Sequence, residues 1–215
     1  MEFPWVFGII SLILAYLCGS VPTSVWWGRA FFGTDVREHG SRNAGATNTF
    51  RVLGPKAGIP VLLIDVLKGF LPVRLLPNFT ELVPYSEEWM GFRVALVLGA
   101  VVGHLYPVFA NFRGGKGVAT SLGGILALHP GCALVCIAVF AVVYLLSHYV
   151  SLASLIAAVA FPTAVFLVWR EPSEVLRVFA LVICALVFYT HRQNIGRLMR
   201  GEENRIRPAG RTARS

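Results

Sequence analysis

The sequence predicts an all-α, polytopic integral membrane protein of seven transmembrane helices, with its N-terminus outside and its C-terminus in the cytoplasm. Three observations predict it. Apolar residues make up 56% of the 215 positions and charged residues only 14%, where a soluble domain carries about 25% charged residues. The apolar residues gather in runs of the length a helix needs to cross a bilayer, roughly 20 residues at 1.5 Å each. Lys and Arg concentrate in alternate connections, as cytoplasmic loops require.

Each element follows in order. The first run, from about Pro4 to Trp26, is interrupted by Gly19-Ser20-Val21-Pro22, a predicted kink. Met1-Glu2-Phe3-Pro4 lacks a basic leader and no A-x-A site follows the run, so it reads as a retained span. The second span runs from about Gly58 to Leu76 and the third from about Met90 to Phe109. His129-Pro130-Gly131 divides a long apolar stretch into a short fourth span, Val118 to Leu128, and a fifth that ends near Tyr149. Ser151 to Trp169 is the sixth and Val175 to Tyr189 the seventh.

Charge tests the count. Arg29, Arg37, Arg42, Arg51 and Lys56 lie between the first two spans, and Arg113 and Lys116 follow the third. Between Pro77 and Trp89 there are three Glu and no Lys or Arg. Only if the short fourth span crosses does the Arg-rich tail, Arg192 to Arg214, fall on the cytoplasmic side. No internal repeat appears, so a transporter built from duplicated halves gains no support. Residues 1–215 read as a single domain with motif loops at 40–51 and 112–120 and a basic tail from 191.

The net charge of +8 belongs to these loops, not to a nucleic-acid surface. Cys18, Cys132, Cys136 and Cys184 all lie in apolar runs without a carboxylate or His at ligand spacing, so no metal site is expected.

Two segments depart from the apolar background: Gly40-Ser-Arg-Asn-Ala-Gly-Ala-Thr-Asn-Thr-Phe-Arg51 and Phe112-Arg-Gly-Gly-Lys-Gly-Val-Ala-Thr120. Glycine backbone N–H groups, hydroxyls and cations together make phosphate sites. Neither is a Walker A loop: Gly45 is followed by Ala46-Thr47, and Lys116 by Gly117. A small phosphorylated compound therefore fits better than a nucleotide. Beyond the seventh span, a continuing helix would put His191 and Asn194 on one face, with a base and an amide aimed at the same mouth. Asp65 and Lys68 form an i,i+3 pair inside the second span, and His104 is a buried ionisable candidate in the third. No G-x-S-x-G elbow or H-x-x-x-x-D pattern is present, so no covalent acyl-enzyme is expected. On the residues alone, a phosphate-using enzyme competes with a membrane transporter of an organic phosphate.

Three blocks resemble the bacterial membrane-embedded acyl-phosphate:glycerol-3-phosphate acyltransferase family: G-S-R-N-A-G-A-T-N at 40–48, G-H-L-Y-P-V-F-A-N-F-R-G-G-K-G-V-A-T at 103–120, and H-R-Q-N-I-G-R-L-M-R-G-E-E at 191–203. Arg42 stands where the family usually has Gly, and Ala44 where it often has Pro. The resemblance implies acyl transfer from acyl phosphate to the 1-hydroxyl of glycerol 3-phosphate, giving lysophosphatidic acid and inorganic phosphate. It implies the bacterial inner membrane, an active site facing the cytoplasm, no cofactor, and as partners the two substrates, membrane lipids and the soluble enzyme that makes acyl phosphate. Lys116, His191 and Asn194 are then the expected catalytic residues. Ser41, Asn43, Thr47, Asn48, Arg51, His104, Gly114, Gly115, Gly117, Thr120 and Arg192 are the expected substrate-binding ones.

Overall fold

The computed structural model describes residues 5–205, and is helical with no strand among them. The start of the first span before Trp5, and Arg207, Arg211 and Arg214 of the basic tail, lie outside the described residues. The chain forms α1 (Trp5–Gly19), α2 (Thr23–Phe32), α3 (Ala46–Leu53), α4 (Pro55–Leu75), α5 (Glu87–Leu105), α6 (Val118–Leu128), α7 (Pro130–Ser147), α8 (Val150–Thr163), α9 (Glu174–Thr190) and α10 (Arg192–Met199).

The kink expected at Gly19–Pro22 is the break between α1 and α2. Pro22 has no N–H to continue the helical ladder. The carbonyl of Val21, at that break, accepts from Thr23 N at 2.9 Å and also from Lys68 Nζ at 3.0 Å, and Lys68 pairs with Asp65 at 2.8 Å. The intrahelical ion pair of α4 thus serves a helix end two elements away.

Four helical stretches are long and apolar enough to cross a bilayer: Trp5–Phe32, Glu87–Ala110, Pro130–Ser147 and Val150–Val168. The bent pair Glu174–Thr190 and Arg192–Met199 makes a fifth if counted as one. The two remaining predicted spans, α4 and α6, do not meet that measure of length and apolarity. Lys56, Asp65, Lys68 and Arg74 lower the apolarity of α4, although its 21 residues reach roughly 31 Å. Helix α6 has only 11 residues.

Short as it is, α6 sits at the centre. Gly69 of α4 lies on the Thr120 carbonyl and Gly123 of α6 on the Val66 carbonyl, so closely that a Cβ at either would overlap the facing backbone. Small residues let helices approach this way where lipid supplies no hydrophobic drive. At its far end, Arg93 of α5 donates to the Ala127 carbonyl, one of the orphan acceptors of the helix terminus. His129 then caps α7 by accepting from Cys132 N at 3.1 Å, ahead of Pro130 at the first helical position. The main apolar core lies between α5, α6, α7, α8 and α9.

Candidate active site

Three segments meet at one end of the bundle. In the first, Asp35 opens the turn Val36–Glu38 and is held by Arg37 and Arg29, each at 2.8 Å. The hydrogen bond from Arg37, which outweighs partial burial, holds its carboxyl at about 2. Arg37 also donates to the Ala110 carbonyl at 3.2 Å, tying this loop to the second segment. Asn48 is buried and fully engaged. Its Nδ2 donates to the carbonyls of Val36 (2.7 Å) and His39 (3.1 Å), and its Oδ1 accepts from Ser41 N at 2.8 Å. It shapes the loop that presents Ser41 and Asn43. Arg42, exposed, has φ +58°, the left-handed region that glycine takes without strain. The family's glycine at that position therefore has a backbone reason.

The second segment leaves α5 at Tyr106 and reaches α6 through Gly114-Gly115-Lys116-Gly117. Gly115 N donates to the His104 carbonyl at 3.1 Å, and a Cβ on Gly115 would run into the His104 ring. Gly117, at φ +81°, turns the chain into α6. Lys116 emerges between these glycines and donates its Nζ to Asn194 Oδ1. Burial, opposed by Glu203 and reinforced by Arg197 and Arg51, pushes its amine down to about 8.

The third segment is the bend from α9 to α10. The expected continuing helix is broken here: the two axes meet at 61°, with His191 at the corner. The bend still delivers both expected side chains, since His191 and Asn194 are buried against the same cavity. His191 Nδ1 lies 2.8 Å from the Val187 carbonyl. A carbonyl only accepts, so Nδ1 carries the proton and Nε2 is left as an acceptor. Burial, with the Lys116 cation nearby, lowers this imidazole to about 4, so it is neutral at pH 7.

Glu203 joins the segments. Its carboxylate accepts from Asn194 Nδ2 (2.7 Å), Ser151 Oγ (3.0 Å) and Arg197 Nε (2.8 Å). Burial opposes its ionisation, but the hydrogen bonds from Arg197, Asn194 and Ser151 prevail and hold the carboxyl below its ordinary value. Arg51, on α3, is lowered by burial and lies within electrostatic reach of Glu203 and Arg197.

These groups line the upper part of one cavity of about 440 Å³. Ser41, Asn43, Thr47, Asn48, Arg51, His104, Lys116, Gly117, His191 and Asn194, all predicted from sequence, are brought together there. Gly114, Gly115, Thr120 and Arg192 do not line it. The first two brace the loop on His104, Thr120 is packed in the α4–α6 seam, and Arg192 is exposed and stacks on Tyr189 at 4.7 Å. Glu203, Arg197 and Ser151 escaped the sequence reading. Two of them stand in the third sequence block, where their signal was hidden among tail charges. Arg51, Lys116 and Arg197 against Glu203 leave the mouth with a surplus of two positive charges, since Asp65 deeper in is paired with Lys68. Below the mouth the cavity becomes an apolar slot between α6, α7, α8 and α9. An anion with an apolar tail fits such a space.

Comparison with known proteins agrees with this chemistry. Residues 9–201 match the family model described as glycerol-3-phosphate acyltransferase. The glycerol-3-phosphate acyltransferase of Geobacillus kaustophilus is 46% identical over 202 residues, covering 94% of this chain and 98% of that one. The one from Fusobacterium nucleatum is 42% identical over 196 residues, covering 91% and 96%. The crystal structure of PlsY (YgiH), an integral membrane glycerol 3-phosphate acyltransferase, in its glycerol 3-phosphate form, superposes with a TM-score of 0.81 at 37% identity, covering 93% of this chain and 96% of that one. Its lysophosphatidic acid form gives a TM-score of 0.80.

Proposed function

Because the chain belongs to the glycerol-3-phosphate acyltransferase family, membrane enzymes of phospholipid synthesis, we propose that it moves a fatty acyl group from acyl phosphate to the 1-hydroxyl of glycerol 3-phosphate. The products are lysophosphatidic acid and inorganic phosphate. One observation carries this reading: a cation-rich mouth and an apolar slot are parts of the same cavity. Phosphate and fatty chain belong to one donor molecule, and the cavity offers each its own half. A transporter of an organic phosphate would have no use for an apolar lower half.

The chemistry follows from the groups at the mouth. The glycerol hydroxyl oxygen attacks the acyl carbon, and the carbon–oxygen bond to phosphate then breaks. The donor is already an activated mixed anhydride, so positioning and charge stabilisation suffice, without a protein nucleophile or a cofactor. Lys116, Arg51 and Arg197 take the charge of the phosphates, with Ser41, Asn43 and Thr47 as neutral donors. His191 Nε2 and Asn194 hold the acceptor. A ring at about 4 is a weaker base than a phosphate whose second pKa is about 6, so the hydroxyl proton goes to the departing phosphate. His191 orients.

Leu62 on α4 and Ile137 on α7 line the slot yet are exposed on the outer face of the bundle, so a lipid-like donor has a sideways entrance. On this reading the chain crosses the inner membrane seven times, N-terminus out, with α4 and α6 as the second and fourth crossings. The mouth faces the cytoplasm, where a soluble enzyme delivers acyl phosphate. The test is incubation of purified protein with acyl phosphate and glycerol 3-phosphate. Lysophosphatidic acid and phosphate in equal amounts are expected; a strong preference for acyl-CoA overturns the donor assignment.

A further inference from the structure

We infer that Phe161 is the floor of the apolar slot and sets the length of acyl chain the enzyme accepts, with Cys136 facing it from α7. The inference deepens the acyltransferase reading and rests on it for the identity of the chain.

On all four helices the lining stops inside the bundle. Descending from the mouth, the cavity is lined on α6 as far as Ile125, on α7 as far as Cys136, on α8 as far as Phe161 and on α9 as far as Ile183. The next inward-facing residues, Leu128, Cys132, Val165 and Phe179, are buried in the core and do not line the cavity. Helices α7 and α8 form an antiparallel hairpin that gives an independent check. Cys136 lies eleven residues before the end of α7 at Ser147, and Phe161 eleven after the start of α8 at Val150. Both therefore stand about 16 Å below the hairpin turn at 1.5 Å per residue.

Phe161 is built as a stop. It is fully buried, and its ring meets Phe179 edge-to-face, centroids 5.9 Å apart. That contact fixes the ring from beneath. Beyond it the packing is continuous, and close-packed interiors do not yield to extra methylenes without strain. On this inference, a chain descending from a phosphate held at Lys116 ends at this ring. Removing the ring opens about 5 Å, room for up to four carbons at about 1.3 Å per carbon for tetrahedral C–C bonds of about 1.5 Å, or about two if neighbours partly fill the space.

The experiment uses a homologous series of acyl phosphates with full-length protein in detergent. Thermal stabilisation by lysophosphatidic acids of the same chain lengths is measured in parallel. Phe161→Ala is expected to move the preferred length up by two to four carbons, with Phe161→Leu as a milder version should the alanine variant fail to fold. Cys136→Phe, which fills the slot from the other side, is expected to move it down. Opposite shifts are the signature; a merely structural role lowers activity at every length alike. Uniform loss or an unmoved optimum overturns the inference and shows the chain leaving sideways between α4 and α7. Opposite shifts in lysophosphatidic acid stabilisation without turnover of any acyl phosphate would uphold the floor and overturn the donor assignment.

Discussion

Replacing Lys116 by Ala tests the mouth most directly. Its Nζ is delivered by a loop braced on His104 and already meets Asn194, so it needs little reorganisation to meet a phosphate. A cation about 4 Å from one unit of phosphate charge is worth about 4 kcal/mol at an effective dielectric near 20. Arg51 and Arg197 remain in the variant and water refills the gap, which reduces the loss. A range of about 2–4 kcal/mol results, comparable to deleting one oxyanion donor, or roughly 30- to 1,000-fold in kcat/KM. The assay is initial-rate formation of lysophosphatidic acid across pH. Burial sets the Lys116 amine at about 8, and the proposed phosphate contact needs the protonated form. Wild-type kcat/KM should therefore be full below that value and fall as pH rises through it. The limb in kcat should lie higher, because a bound phosphate favours the charged amine. Lys116→Arg keeps its charge throughout this range, so its residual activity should lose the alkaline limb. A folded Lys116→Ala protein within threefold of wild type would refute the reasoning, as would a limb near pH 8 that persists in Lys116→Arg.

Other outcomes follow from the same geometry. His191→Ala should raise KM for glycerol 3-phosphate while keeping most of kcat. Since burial holds the ring near 4, wild-type activity should show no acid limb from His191 between pH 6 and 8; a tenfold or larger fall in kcat at saturating acceptor would make it the base instead. Arg42→Gly should raise the melting temperature by a few degrees. A side chain at φ +58° costs about 1–2 kcal/mol, partly offset by the greater chain entropy of glycine, and an unchanged or lowered melting point counts against that account. For the topology, a single Cys placed at Ser41 should react only with reagent on the cytoplasmic side and one at Glu87 only from outside; the reverse pattern inverts the bundle.

Much of this fold was legible because apolar runs and turn residues report locally. Gly19–Pro22 and His129–Gly131 mark helix ends by removing donors or freeing the backbone, and both breaks occur there. The bend at His191 was not legible. Residues 187–198 read equally well as one helix, and the corner is held by the packing of α10 against α8 and α9, a tertiary cause. His191 and Asn194 thus line one cavity across a bend, and not on one face of a continuing helix.

The site divides along the same line. Residues marked by type and spacing, such as Lys116 between glycines, announce themselves, and Lys116 does line the cavity. Asn48 has the right type in the right loop, yet its amide is consumed by Val36, His39 and Ser41, which no local pattern reveals. Glu203 is the opposite case. An acid next to a basic tail looks like a solvated charge, but its partners are Ser151, Asn194 and Arg197, brought to it by the α7–α8 hairpin and the α9–α10 corner. A carboxylate in the proposed phosphate site would oppose the substrate by charge, so its presence needs a compensating gain. Asn194 supplies the reason. Its Oδ1 receives Lys116 and its Nδ2 donates to Glu203, so the carboxylate fixes which way the amide faces and thereby where the lysine stands. Three cations with no anion among them would repel one another and splay the mouth. One buried carboxylate holds them converged, while leaving the mouth a net positive charge, as the proposed phosphate contact requires.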